Sequence, residues 1–528
     1  MVEAHPRTHS NLRFVSLELV NNNAQFCTRT NRDMNKICLF FHHVTSAVEA
    51  SEQTSMSSPP SKRPHRAVEL SPNVIFSTST SAPMMDESQT LLALPDDALL
   101  AVLAFLQPRQ LLRCRPVCRR LRDLCLHPQL WRTVKVLKDD KGLQCAALRL
   151  APCLRLLQVA SPSSANLEAA VYSTTCVVSE FHVTLEEESG QAFAVAALQL
   201  FSALGGLRKL AVAFKYRIAS IETTPLLRVA YSLKHINQLT IGFASHLLSP
   251  EPLPWPEQRS SLTALQYITG SVTADPFLGL LLRTHATTLE EVAFDGALEE
   301  LPVALLVNMP RLRSLDCRSQ DGVSQLQALP SLESISLYVH DDGAWSPGVL
   351  DYLRQAPKLR SVTFEGPQAH IDIVAPLRAL AESPCANTLQ SLSLHCKLDM
   401  FELVASTPPQ FPSLQTLELH IKDAGPFDTF LRAVSSSTAP CLTELRLAPG
   451  GCPHAFLHGP ALLDLLARNP RLHFRILSAA LRSCACQWCA WGCHVELRGT
   501  ALRRAFAGHA RTTDCPKDCF RWRPWLLE

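Results

Sequence analysis

A unit of the form L-x-x-L-x-L, with Val, Ile or Phe allowed for Leu, recurs twelve times along this chain and constrains its fold more than any other feature. It reads at Leu154/Leu157/Val159, Val178/Phe181/Val183, Leu207/Leu210/Val212, Ile236/Leu239/Ile241, Leu262/Leu265/Tyr267 and Leu289/Val292/Phe294. It continues at Leu312/Leu315/Cys317, Leu332/Ile335/Leu337, Leu359/Val362/Phe364, Leu389/Leu392/Leu394, Leu414/Leu417/Leu419 and Leu442/Leu445/Leu447. First positions lie from 20 residues apart (Leu312 to Leu332) to 30 (Leu359 to Leu389). The last positions of each unit alternate with strand period. The stretches between, such as VLDYLRQA at 349–356, FDTFLRAV at 427–434 and ALLDLLAR at 461–468, have helix period. Proline marks the step from helix to strand in MPRLRSL, LPSLESI, APKLRSV and FPSLQTL, because it disfavours helix in the residue before it. Each unit therefore reads as strand, turn and helix, too small to bury its own apolar face, so the units must stack. A chain of 528 residues is too long for one compact core, and stacking removes that limit. The expected class is α/β.

The pattern resembles leucine-rich repeats, whose period is about 20 to 29 residues. One feature departs from that family. Where it places Asn or Cys about eight residues after the first Leu, this chain has Lys215, Gln320, His340, Pro367, Lys397 and Lys422. The repeats thus resemble an irregular kind of leucine-rich repeat, which implies a horseshoe solenoid over residues 132–480. In such a horseshoe the x positions of the strands face the concave side, the usual partner surface. The position six after the first Leu gives Asp295, Arg318, Tyr338, Glu365, His395 and His420 as neighbours. Mixed charge and aromatic rings suit a protein target better than a polyanion.

Residues 94–131, LPDDALLAVLAFLQPRQLLRCRPVCRRLRDLCLHPQLW, form a different pattern. Pro95 presets a helix start, and Asp96 and Asp97 complement the positive end of its dipole. Leu99, Val102, Leu103 and Leu106 make an apolar stripe. Pro116 marks a break before the next helix. The segment closely resembles the F-box, a module of three short helices, placed here at 91–131. The resemblance implies binding to the Skp adaptor of SCF ubiquitin ligases, and through it to a cullin. It puts the adaptor contacts on Leu94, Pro95, Leu99, Leu100, Leu103, Leu111, Leu112 and Val117. Leu121 stands where the family commonly has Trp. Six arginines between Arg109 and Arg122 are expected on the solvated helix faces, so nucleic acid is not an expected partner.

The flanks are less informative. Residues 51–90 hold ten Ser, four Thr and five Pro, the composition of a disordered linker, and 1–90 as a whole is expected to lack a fold. The start, MVEAHPRTHSNLRF, has no apolar signal-peptide core, so the expected compartment is the reducing cytoplasm and/or nucleus. Lys62, Arg63, His65 and Arg66 form a short basic patch. No apolar run approaches the roughly 20 residues that cross a bilayer, so no membrane association is expected. The tail, 481–528, carries six of the nineteen cysteines together with Trp488, Trp491, Trp522 and Trp525, and is expected to cap the array. Within it Cys486, Cys489, Cys515 and Cys519 would supply two ligand pairs to a tetrahedral zinc site, and no other cofactor is expected. A net charge of +3 argues for no global field. The chain has no G-x-x-x-x-G-K, H-E-x-x-H or G-x-S-x-G, so no enzyme class is suggested. The expectation is a non-catalytic substrate receptor of an SCF ligase; the alternative is a leucine-rich scaffold without ligase association.

Overall fold

The computed structural model describes residues 91–477 except 162–163, 188–189, 216–223, 244–259, 270–275, 297–301, 340–343, 367–372, 397–410, 422–429, 433, 436–438, 450–459 and 470, together with 505–509. The described residues belong to one compact unit. The linker and the four tail cysteines, Cys486, Cys489, Cys515 and Cys519, lie outside them, so the zinc expectation does too.

A helical module comes first: a 3-10 turn at Leu91–Ala93, then α1 (Asp96–Leu103), α2 (Pro108–Cys114), α3 (Arg119–Leu124) and α4 (Pro128–Trp131). This corrects the expectation of three helices. The fourth is a single turn that Pro128 starts at the position where its missing N–H costs nothing. Pro108 opens α2 in the same way, and the Gln110 carboxamide accepts from the Gln107 N–H at 2.9 Å to complete a capping box. The break at Pro116 falls between α2 and α3, where Cys118 Sγ accepts from the Leu121 N–H at 3.4 Å.

One sheet of fifteen strands in sequence order follows. The strands are β1 (Lys135–Val136), β2 (Cys153–Ser161), β3 (Val177–Leu185), β4 (Lys209–Phe214), β5 (Gln238–Phe243), β6 (Ala264–Thr269), β7 (Glu291–Gly296) and β8 (Ser314–Arg318). Then come β9 (Ser334–Tyr338), β10 (Ser361–Glu365), β11 (Ser391–Cys396), β12 (Thr416–Ile421), β13 (Glu444–Pro449), β14 (His473–Leu477) and β15 (Ala505–His509). Pairing is parallel from β1 to β14, and β15 runs antiparallel to β14. Parallel neighbours need a crossover, and helices supply it in most steps. They are α5 (Lys141–Leu150), α6 (Ala165–Tyr172), α7 (Gly190–Ala203), α8 (Thr224–Ser232), α9 (Pro276–His285), α10 (Val303–Leu306), α11 (Pro347–Gln355), α12 (Val374–Ala381) and α13 (Pro460–Arg468). The layout is solenoid-like.

Each of the twelve sequence units contributes one strand, in matched register. Second positions pair along the array, as in Phe181 with Leu210, Leu315 with Ile335 and Leu417 with Leu445. Because side chains alternate with period two, this register puts every second and third position into the core. Thus Leu157, Ile241, Leu315, Leu337, Val362 and Leu445 are all at most 1% exposed. A backbone ladder reinforces the stack one residue after each first position. Arg313 N–H donates to Glu290 O, Glu333 to Arg313, Arg360 to Glu333, Gln390 to Arg360 and Gln415 to Gln390, all at 2.7–2.9 Å.

The structure adds a thirteenth unit that the pattern misses. Phe474 pairs with Leu445 and Ile476 with Leu447 in β14. The preceding Leu472 lies two residues before Phe474 instead of three, which breaks the L-x-x-L spacing. Among the described residues no helix is long and apolar enough to cross a membrane.

Candidate functional sites

Two features stand apart from the core. The first is the exposed edge of the helical module. Half of the exposed large apolar side chains among the described residues lie between 92 and 117: Leu92, Leu94, Phe105 and Val117. Pro95 is exposed and Leu112 partly so. The remaining residues implicated by the resemblance, Leu99, Leu100, Leu103 and Leu111, are buried inside the module. Helix α1 packs against α3, and Trp131, buried in the same module, donates from Nε1 to Cys125 O at 2.8 Å. These four leucines shape the module from within; of the other residues implicated, Leu94, Pro95 and Val117 are exposed and Leu112 is partly so.

Arg120 ties down the segment that carries Leu94 and Pro95. Its Nη1 donates to Leu92 O at 2.5 Å and its Nη2 to Leu94 O at 2.6 Å, while Nε and Nη2 reach Asp96 Oδ1 at 2.9 and 2.6 Å. One planar fork thus ties the segment before Pro95 to the first turn of α1. Arg109 makes the other tie, from α2 to Asp140, with Nε to Oδ2 at 3.0 Å and Nη2 to Oδ1 at 2.5 Å. Asp140 also caps α5 by accepting from the Leu143 N–H at 3.1 Å. The Arg109 hydrogen bond holds the Asp140 carboxyl below the usual carboxylate range, with the Leu143 contact helping. Two of the six arginines read as solvated therefore bind their own module or the array behind it. Sequence spacing gave no signal for this, since the partners are 24 to 31 residues away.

The second feature is the sheet face opposite the buried positions, which carries three side-chain rows across β8–β12. The first row is Ser314, Ser334, Ser361, Ser391 and Thr416. The second is Asp316, Ser336, Thr363, Ser393 and Glu418. The third holds the six residues singled out from sequence: Asp295 on β7, then Arg318, Tyr338, Glu365, His395 and His420. None of the six is buried. Within the row, Arg318 pairs in register with Tyr338, Tyr338 with Glu365, and His395 with His420. The two imidazoles stack with centroids 3.9 Å apart, and His395 Nε2 lies 3.6 Å from Glu365 Oε1.

The second row was missed because the sequence reading sampled one position per strand. The same alternation two residues earlier would have found it. It carries the stronger electrostatics. Desolvation pushes the Asp316 carboxyl up to about 7, with the charges of Glu365 and Asp295 adding to it and a Ser336 hydrogen bond opposing. Asp316 still keeps open surface, so this is a carboxyl crowded on the sheet face and not one in the core. Glu365 is raised too, first by desolvation and then by its acidic neighbours, against the opposing pull of His420. For Glu418 desolvation acts upward, yet the His420 hydrogen bond at 2.6 Å and Arg446 at 3.2 Å outweigh it and hold the carboxyl low. Among the described residues no group of His, Cys, Asp and Glu is arranged to hold a metal ion.

Comparison with known protein families matches residues 91–136 to the F-box-like family, so the chain carries an F-box-like domain there. The match spans the helical module and ends on β1. A domain of this type suggests an adaptor-binding role in SCF-type complexes.

Proposed function

We propose that this chain is the substrate-recognition subunit of an SCF ubiquitin ligase. Its F-box-like domain binds the Skp adaptor, and through it a cullin; its repeat array, of the leucine-rich kind, binds the protein to be ubiquitinated. The observation that carries the reading is the F-box-like domain at 91–136. Two others support it. Leu94, Pro95, Leu112 and Val117 lie open on the module, with Phe105 beside them in sequence at 58% exposure, as a surface awaiting a partner would. The parallel strands behind the module present a long face of polar side chains, the form in which stacked repeats bind partners.

In this reading the chain performs no covalent chemistry. It holds a target near the ubiquitin-loaded enzyme recruited by the cullin and so raises its effective concentration. The work is done in the cytoplasm and/or nucleus. Affinity capture of the tagged full chain tests the reading: adaptor and cullin should be recovered together, and recovery of other proteins without either would contradict it.

A further inference from the structure

Over β8–β12 the exposed sheet face has a floor of short side chains beside a wall of long ones. The first row is all Ser and Thr, and the second is Ser or Thr between Asp316 and Glu418. The third row, from Arg318 to His420, stands taller. The result is a trough running across the strands. With strands about 4.8 Å apart, five of them span about 19 Å, the length of about six extended residues. A backbone lying there would meet hydroxyls that can both donate and accept. Ser336 already bonds to Asp316, whereas the other floor hydroxyls make no side-chain hydrogen bond among the described residues.

Charge is unevenly distributed along the trough. At the β12–β14 end, Glu418 and Glu444 are matched by Arg446 and Arg475. At the β7–β10 end, Asp316 makes no ion pair among the described residues, and Glu365 lies 3.6 Å from the His395 imidazole with no guanidinium paired to it among them. We propose that this trough takes an extended segment of the target bearing Lys or Arg side chains, with the cations set against Asp316 and Glu365. The proposal rests on the receptor reading above and names the chemistry of its target.

The crowded carboxyls sharpen the expectation. A bound cation favours the ionised form of Asp316, so binding releases a proton where that group is still protonated, and affinity rises from pH 6 to pH 8. The other charged or titratable side chains of the second and third rows are Asp295, Arg318, Glu365, His395, Glu418 and His420.

Fluorescence anisotropy of the full chain tests this with labelled peptides that alternate Ala with Lys, with Glu or with Ser, at fixed ionic strength. The Lys series should bind at least about ten-fold more tightly than the other two and tighten from pH 6 to pH 8. Asp316→Asn with Glu365→Gln, both close in shape to the originals, should remove that preference. Ser336→Arg, which fills the floor, should weaken binding of the Lys series. Equal binding of the three series, tighter binding of the Glu series, or no response to the double substitution overturns the proposal. The wild-type pH dependence decides the matter without any variant. Adaptor recovery by the same preparation keeps the two readings apart: a chain that retains adaptor without preferring the Lys series disproves the trough alone. A chain that loses adaptor disproves the receptor reading whichever peptide it prefers.

Discussion

Leu99, Leu103 and Trp131 are fully buried in the helical module, whereas Leu94 and Pro95 are exposed on it, so substitutions at the two sets separate folding from binding. Leu103→Ala removes buried methyl groups and should cost about 2 to 5 kcal/mol of module stability, read as a lower urea midpoint. Arg120→Ala should leave that midpoint nearly unchanged, because the side chain is partly exposed, yet weaken adaptor capture by freeing the Leu92 and Leu94 carbonyls. Arg120→Lys cannot form the fork and should not restore capture. A buried histidine makes a pH prediction. His285, 1% exposed at the end of α9, accepts at Nδ1 from the Ser261 and Leu262 N–H groups at 3.2 and 3.4 Å. Burial lowers its pKa to about 4. The unfolded chain therefore binds this proton first, and stability should be complete above about pH 6.5 and fall as pH drops toward 4, by about 3 kcal/mol in all. In His285→Leu the wild-type advantage at pH 7 should shrink at pH 5; an advantage independent of pH would contradict this role.

Gly348, second in α11, shows how closely successive elements pack. A Cβ built there would lie 2.2 Å from the Asp321 carbonyl oxygen, which is backbone and cannot turn aside. Gly348→Ala should cost about 1 to 3 kcal/mol. The control is Gly142→Ala in α5, where nothing lies within 4 Å and the helix should gain about 0.5 to 1 kcal/mol. The opposite signs are checked by thermal midpoints of the two variants. Elements of this array were legible wherever the apolar spacing was regular. VLDYLRQA and ALLDLLAR fall in α11 and α13, and all twelve units supply strands. Elements that local spacing does not cause left no such trace. Leu472 stands one residue out of step, so β14 was hidden, and β1 has two residues and exists only because β2 pairs with it. The one-turn α4 was missed because Pro128 and the burial of Trp131 make it a helix, without any period.

At the scale of the whole molecule, the chain joins an F-box-like domain to a fourteen-strand parallel array closed by an antiparallel strand. The Arg109–Asp140 pair links the two by also capping α5. The sequence named residues of the helical module and of the sheet face without separating the buried ones from the exposed. It ranked Leu99, Leu100, Leu103 and Leu111 with the open face, because an apolar stripe shows that a face needs covering and not whether neighbour or partner covers it. It found the tall row from Asp295 to His420 and missed the hydroxyl floor, because short polar residues on a strand look like ordinary solvated surface. The account as a whole depends on adaptor binding. Titration calorimetry of purified adaptor into the full chain and into Leu94→Ala/Pro95→Ala tests that most directly. The wild type should form a one-to-one complex, and the double variant should lose about 2 to 4 kcal/mol, roughly 30- to 1000-fold in affinity, with its unfolding midpoint unchanged. No heat of binding from a folded wild-type chain, or equal affinity of the two, would contradict the account.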